Sequence, residues 1–492
     1  MAIGIKHAGL CERIRVTLTS YSMGGRFDIS GRKRRHRVIG HELLSETIFA
    51  LSSGAGRAGI AVIRLSGPGA GPALEALAGR LPPPRLATLA RLRDPGDGSP
   101  LDDALILWFP GPQSYTGEDV VELHVHGGVA VVAAMLDALG RQPGLGMAEP
   151  GDFTRRAFVS GKLDLTGAEG LVDLIDAETQ AQRRQALRQS DGRLGRLYDG
   201  WRERLIALLA HFEAAIDFPD EDLPDTLEEA VQGDILGIAH ELAQHLDDNQ
   251  RGERLRDGIH IAILGPPNVG KSSLLNLLSR RDAAIVSAQA GTTRDVVEVR
   301  LDLGGYPVVL ADTAGLRDSA DAIEVEGVRR ARMHADMSDL KLVVFDSAAQ
   351  DSENVAAATA NLIDGNTIVV RNKIDLLPDN SQPRFLPGGE TALAICDLSV
   401  LTGDGVERFL TVLCDAVARR IGQASAPVIT RARHREAVRS CCDALDRALG
   451  AGEAALAAED LRLAVRALGR ITGAVDVEDL LDVIFRDFCI GK

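Results

Sequence analysis

The residues with the plainest chemical potential form an octet, Gly265-Pro266-Pro267-Asn268-Val269-Gly270-Lys271-Ser272. It follows the strand-like run Ile259-His260-Ile261-Ala262-Ile263-Leu264 and precedes a Leu-rich helical run that opens with Ser273. This is the G-x-x-x-x-G-K-[ST] loop in the strand-to-helix setting that gives it meaning. Glycines let backbone N–H groups close around phosphate oxygens, Lys271 reaches the β- and γ-phosphates, and the Ser272 hydroxyl is placed to ligate Mg²⁺. Further along, Val308-Val309-Leu310-Ala311 leads into Asp312-Thr313-Ala314-Gly315. An acid at that strand end can hold Mg²⁺ through water, and Gly315 can donate its N–H to a γ-phosphate. Thr292-Thr293, between the two, supplies a second hydroxyl for Mg²⁺, assigned to Thr293.

The base is read from a third element, Ile368-Val369-Val370-Arg371 followed by Asn372-Lys373-Ile374-Asp375. The Asp375 carboxylate can accept hydrogen bonds from the N1–H and the 2-amino group of guanine, donors that adenine lacks. The wrong base would leave that carboxylate unpaired, at a cost of several kcal/mol. Ser399-Val400-Leu401 stands where a last loop would touch the base, so the nucleotide read from the sequence is GTP. The residue after Gly315 is Leu316, where a Ras-like switch would place a water-orienting Gln, so another group must orient water. On composition alone, Glu324 and Glu326 read as solvated acids at a helix start.

These residues need elements to position them. Residues 259–418 alternate strand and helix patterns, as an α/β nucleotide-binding domain requires. Before them, Ile60–Leu65, Leu105–Phe109 and Val120–Val125 are β-branched runs bounded by Gly and Pro, giving an α+β domain over 45–160. Between Glu178 and Ile216, apolar residues recur at 187, 194, 197, 201, 205, 208, 212 and 216, which predicts one long amphipathic helix stopped by Phe218-Pro219-Asp220. Further helices are expected over about 227–249, 434–450 and 454–470. Helices thus fill 161–258 and resume over 419–492, so the α/β domain reads as inserted into a helical one. Residues 1–44, with nine Lys/Arg against three Asp/Glu, read as a disordered basic arm. Its composition fits a mitochondrial transit peptide or an extension upstream of the true start.

Whole-chain composition bounds the function. The 492 residues suffice for two to four domains, and no apolar stretch approaches the length of a membrane-spanning helix. A net charge of −15 argues against a general electrostatic grip on nucleic acid, so an RNA partner must be met on a local patch. Six cysteines without a C-x-x-C pair suit reduced thiols and a cytoplasmic protein, mitochondrial only if the arm is a transit peptide.

At this point several ordered segments resemble those of the tRNA-modification GTPase family MnmE (TrmE), from about Glu46 to Lys492. They are Gly56–Gly67, Ser114-Tyr115-Thr116-Gly117-Glu118-Asp119-Val120-Val121-Glu122, Gly161-Lys162-Leu163-Asp164-Leu165, Gly291-Thr292-Thr293-Arg294-Asp295 and Cys489-Ile490-Gly491-Lys492. The resemblance implies a Ras-like P-loop G domain inserted in a helical domain and preceded by a folate-binding α+β domain. It implies a homodimer that joins an FAD-dependent partner, MnmG (GidA), in a heterotetramer. Together these place an aminomethyl or carboxymethylaminomethyl group on the wobble uridine of certain tRNAs, with a one-carbon unit from 5,10-methylene- or 5-formyl-tetrahydrofolate. The positions matching the family's folate contacts are Arg64, Glu122, Lys162 and Lys492. Glu324 matches the residue that orients the attacking water, which replaces the composition-based reading of that acid. The resemblance also implies K⁺ held by Asn268 with Ser287, Gln289 and Thr292, although Ser287 and Val400 stand where relatives often carry Thr and Ala. Cys489 matches a terminal cysteine that could be catalytic, structural or dispensable.

Other signals are weaker. His124 and His126 share one face of a strand but lack a third metal ligand nearby, and read as a packed or solvated pair. Arg183, Arg184, Arg188 and the run Arg431, Arg433, His434, Arg435 read as solvated helix faces, with tRNA phosphates as the alternative. The competing function class is a ribosome-assembly switch of the Era or Der type, which shares the phosphate loop and the Asn372-Lys373-Ile374-Asp375 turn but lacks a folate-like N-terminal domain.

Overall fold

The computed structural model describes residues 46–217, 225–281, 297–312, 337–348, 363–377, 389–422, 427–475, 477–486 and 488–491. The arm over 1–44 and the expected helix stop at Phe218-Pro219-Asp220 lie outside them.

The first unit along the chain is a six-stranded sheet. Its strands are β1 (Thr47–Leu51), β2 (Ile60–Ser66), β3 (Thr88–Arg93), β4 (Pro100–Phe109), β5 (Val120–His126) and β6 (Leu145–Met147). The order is β3-β4-β5-β2-β1-β6, antiparallel except for the β1–β6 edge. Alternation along β2 buries Ala61, Ile63 and Leu65 and turns Val62 and Arg64 to the opposite face. Helices α1 (Ala70–Ala78) and α2 (Val129–Gly140) cover the buried face, where Leu74, Leu77, Met135 and Leu139 join Ile63 and Leu123 in one core.

A helical layer follows: α3 (Asp152–Val159), α4 (Leu165–Ile175), α5 (Gln180–Ser190), α6 (Arg193–Asp217), α7 (Asp225–Leu246) and α8 (Arg251–Asp257). The single helix expected over 178–216 is therefore two. The chain breaks at Asp191-Gly192, where Gly192 adopts a left-handed φ of 74°. A Thr179/Gln182 capping box starts α5, fixing its N-terminus independently of α6. The apolar spacing did not reveal the break, because steps of three, four and seven survive a pause of two residues. After the second sheet come α11 (Ala432–Gly450), α12 (Ala454–Thr472) and α13 (Glu478–Arg486), the last of which the periodicity did not predict. Residues from both sides of that sheet share one core: Tyr198 and Leu205 of α6 and Ile238 of α7 pack with Val438 and Leu445 of α11 and Leu461 of α12.

The second sheet comprises β7 (Ile259–Leu264), β8 (Val297–Leu303), β9 (Tyr306–Asp312), β10 (Leu340–Asp346), β11 (Thr367–Asn372) and β12 (Ala394–Asp397). Its order is β12-β11-β10-β7-β9-β8, parallel throughout except for edge strand β8. Helices α9 (Lys271–Arg281) and α10 (Val406–Ile421) flank it. Strand β7 is central, and its burial pattern is nearly continuous, as a parallel strand covered on both faces demands. Among the described residues, no helix is long and apolar enough to cross a membrane.

Candidate functional site

In an open parallel sheet, ligands meet the carboxyl ends of the strands. That edge gathers the phosphate loop after β7, Asp312 at the end of β9, Asp346 at the end of β10 and Asn372 at the end of β11. Two glycines let the loop lie close to its neighbours. A Cβ on Gly265 (φ 140°) would stand 2.3 Å from the Val344 carbonyl oxygen, and one on Gly270 (φ 102°) 2.3 Å from Asn372 Nδ2. Asn268 is itself left-handed at φ 63°.

The loop and the base-reading turn are one hydrogen-bonded body. Buried Asn372 donates from Nδ2 to the Val269 carbonyl (2.8 Å) and accepts at Oδ1 from the Val400 N–H (3.1 Å), joining three loops. Lys373 Nζ donates to the Asn268 carbonyl (2.8 Å) and pairs with Asp346 (2.7 Å). Lys271 Nζ lies over its own loop, donating to the carbonyls of Gly265 (2.9 Å) and Pro266 (2.7 Å). Ser272 and Ser273 are exposed on the first turn of α9, where free backbone N–H groups and the helix dipole favour an anion. Asp375 is exposed on the short 3₁₀ turn Ile374–Leu376, and among the described residues its carboxylate has no hydrogen-bond partner, so it is open to accept from a base. Ser399 is buried, its N–H donating to the Asp404 carbonyl. The brace through Asp346 was missed at the sequence level, although an acid closing the buried run Leu340–Asp346 was its trace. Ser287, Gln289, Thr292, Thr293, Thr313, Ala314, Gly315 and Glu324 lie outside the described residues.

A second constellation lies on the first sheet. Arg64 and Glu122 are direct cross-strand partners, joined by bonds of 3.1 and 2.8 Å from Nε and Nη2 to Oε1. Burial alone would raise the Glu122 carboxyl, but the Arg64 contact outweighs it and holds the group below the usual range. The Arg64 guanidinium also lies 5.3 Å from the Tyr115 ring centroid and 5.8 Å from that of Phe153. His124 Nε2 sits 3.3 Å from the other Glu122 oxygen, so this histidine belongs to the Glu122 cluster rather than to a pair with His126, whose Nδ1 meets Asp102 at 2.8 Å. The loop carrying Tyr115 is fixed from below: buried Arg156 pairs with Glu118 (2.8 Å), and Ser66 bonds to both Thr116 and Glu118. Lys162 is exposed with its Cε 3.5 Å from a Cβ built on Gly117. The C-terminal segment returns beside the same sheet, where the Gly491 carbonyl accepts from Ser52 Oγ just past β1 (2.9 Å) and Ile490 makes an isolated bridge to Pro150. Cys489 is an exposed free thiol, and Lys492 lies outside the described residues. Tyr115, Phe153 and His124 were not singled out from sequence as neighbours of Arg64 and Glu122, since strand register and a loop 38 residues from its brace bring them there.

The arginine run on α11 is not a solvated face. Arg433 holds buried Glu169 at 2.7 and 2.8 Å, and Arg431 pairs with Asp173 at 2.9 Å. Arg435 is taken by Asp248 and Glu253. His434 Nε2 lies 2.9 Å from Glu169. Burial would raise the Glu169 carboxyl, but its His434 and Arg433 contacts hold it far below the usual range, while burial lowers His434 against the pull of Glu169. The acids come from α4, from the α7–α8 connection and from α8, 182 to 264 residues from these arginines in sequence, which local charge counting cannot see.

A glycine-framed phosphate loop on the carboxyl edge of a parallel sheet, bonded to an Asn-Lys-x-Asp turn, defines a P-loop GTP hydrolase, here set between two parts of one helical core. A family model described as MnmE helical domain matches residues 165–489, and one described as GTP-binding protein TrmE N-terminus matches 47–162. The "tRNA modification GTPase MnmE" of Paramagnetospirillum magneticum is 58% identical, covering 91% of this chain and 100% of the relative. That of Rhodospirillum rubrum is 57% identical over 91% and 99%. A human protein, the mitochondrial 5-taurinomethyluridine-tRNA synthase subunit, is 50% identical over 91% and 93%. The chain belongs to the MnmE family of tRNA modification GTPases.

Proposed function

We propose that this GTP hydrolase modifies the wobble uridine of certain tRNAs together with an FAD-dependent partner of the MnmG type, using a one-carbon unit from a tetrahydrofolate derivative. The observation that carries the reading is the direct bonding of the phosphate loop to the base turn through Asn372 and Lys373, within a chain similar over 91% of its length to tRNA modification GTPases. In this reading residues 45–160 bind folate, 161–258 and 419–492 form the helical domain, and 259–418 form the G domain.

GTP lies with its phosphates on the backbone of Asn268–Ser273, and Lys271 leaves its loop carbonyls to meet the β- and γ-phosphates. Asp375 accepts the guanine donors, and Val400 closes over the base. Mg²⁺, held by Ser272 and Thr293, neutralises phosphate charge when bound, and K⁺ beside Asn268, Ser287, Gln289 and Thr292 supplies a positive charge where other GTPases insert an arginine. Exposed Ser272, on the first turn of α9, suits this ligand set. Glu324 orients the attacking water once two G domains meet in the homodimer.

On the first sheet, Arg64 holds the Glu122 carboxylate in one orientation to accept from a pterin donor edge. Lys162 and Lys492 face the carboxylate tail. The ionised Glu122 and the Tyr115 and Phe153 rings beside Arg64 suit a flat, polar-edged ligand. Hydrolysis of GTP drives motion of the domains rather than the carbon transfer itself.

The test is reconstitution: full-length protein, the FAD-dependent partner, tRNA, GTP and methylene-tetrahydrofolate, followed by nucleoside analysis of the tRNA. A modified wobble uridine that requires both proteins supports the reading. GTP turnover without any change in tRNA nucleosides overturns it and favours the assembly-switch alternative.

A further inference from the structure

A cleft of about 570 Å³ opens where α5 crosses the second sheet, and among the described residues its lining holds three arginines and no carboxylate. In a chain of net charge −15 such a lining departs from the average surface. One wall is α5, where Arg184 and Arg188 lie one turn apart on the same face. The opposite wall is Arg251 at the start of α8, packed against Gly422 just past α10, where a Cβ would come 3.4 Å from the guanidinium. Tyr306, beside the turn between β8 and β9, also lines the cleft.

Two of these cations, Arg184 and Arg251, differ from the neighbouring arginines in availability. Arg254 is paired with Asp339, Arg256 with Asp173, and Arg435 with both Asp248 and Glu253. Asp248 and Glu253, the acids three and two residues from Arg251, are therefore already occupied by Arg435. Arg184 and Arg251 are exposed, and neither guanidinium has a hydrogen-bond or ion-pair partner among the described residues. Unpaired guanidiniums spaced around an open cleft, without an enclosing polar pocket, suit a run of phosphates on a polymer better than one small anion.

We infer that this cleft is a docking site for the phosphodiester backbone of tRNA. The inference rests on the proposed action on tRNA and adds the surface that meets it. The cleft touches both structural parts: the Ala181 N–H at the start of α5 donates to the Gly305 carbonyl, and the Ala181 side chain packs in the core of the second sheet. An RNA seated there contacts the helical layer and the nucleotide-binding sheet together.

Binding of a labelled tRNA transcript to the full-length protein, followed by fluorescence anisotropy across a salt series, tests the site. The Arg184→Ala/Arg251→Ala variant should bind about tenfold or more weakly at moderate salt. The slope of log affinity against log salt should fall by about two, near one per phosphate contact. The Lys versions should keep most of the affinity, and GTP turnover without RNA should not change. An Arg80→Ala/Arg439→Ala variant removes equal charge from exposed positions elsewhere and should bind like the parent. Parent-like affinity and slope in the cleft variant, or an equal loss in the control, would overturn the site and leave the tRNA reading intact. Absence of tRNA binding by the parent protein at every salt concentration would overturn both.

Discussion

At the scale of residues, the proposed nucleotide selection rests on Asp375, while the position of its turn rests on Asn372 and Lys373. These latter two spend their side chains on the Val269 and Asn268 carbonyls, so the turn that reads the base is held by the loop that reads the phosphates. Asp375→Asn should therefore move preference from guanosine to xanthosine nucleotides, measured by competition, because an amide presents a donor where the carboxylate presented an acceptor. Undiminished GTP selectivity would remove Asp375 from base recognition. The phosphate loop and this turn were legible because glycine, lysine and acid types at fixed spacing are the chemistry itself. The Glu122 cluster was legible only by family resemblance. Its neighbours Tyr115, Phe153 and His124 come together through strand register and loop packing, which residue type does not encode.

At the scale of elements, the sequence pattern gave helix existence better than helix ends. The apolar recurrence from 187 to 216 is real, but Asp191-Gly192 divides it, and the two helices serve different neighbours. Gln189 of α5 donates to the Thr166 carbonyl of α4, whereas Thr472 of α12 bonds to Asp199 of α6. The left-handed Gly192 is what allows the change of direction. Gly192→Ala should lower stability by about 1–2 kcal/mol, the cost of that backbone conformation for a residue with a Cβ. Thermal unfolding measures it, and an unchanged or raised melting temperature would show that the break tolerates a side chain. The arginines of α11 teach the complementary lesson. A charge run reads as solvated until the acids that bury it, Glu169 and Asp173, are seen to arrive from α4.

At the scale of the whole molecule, helices before and after the nucleotide-binding sheet share one core, and the half-buried His245 beside it contributes to its response to acid. His245 bonds to the Tyr198 hydroxyl at 3.1 Å and lies edge-on to Tyr198 and Trp201. Burial lowers it from 6.5 to about 4, against the pull of Asp248 and with Arg435 and His434 reinforcing the shift. As pH falls, the unfolded chain takes up this proton first, so the contribution of His245 is complete above 6.5 and is lost between there and about 4. His245→Gln keeps a partner for Tyr198 and should flatten the fall of melting temperature across that window. An identical fall in the variant would assign the acid response elsewhere. Glu169, held far below its usual 4.5, adds its own loss at the acid end of that window, so the two proteins are compared above about pH 5.

In the proposed function, GTP turnover depends on a cation beside Asn268 and on the meeting of two G domains. GTP turnover of the full-length protein in KCl and in NaCl at equal ionic strength, across a range of protein concentrations, tests that claim most directly. A large K⁺ acceleration that grows with protein concentration is the predicted result. Equal, slow and concentration-independent rates in both salts would contradict it.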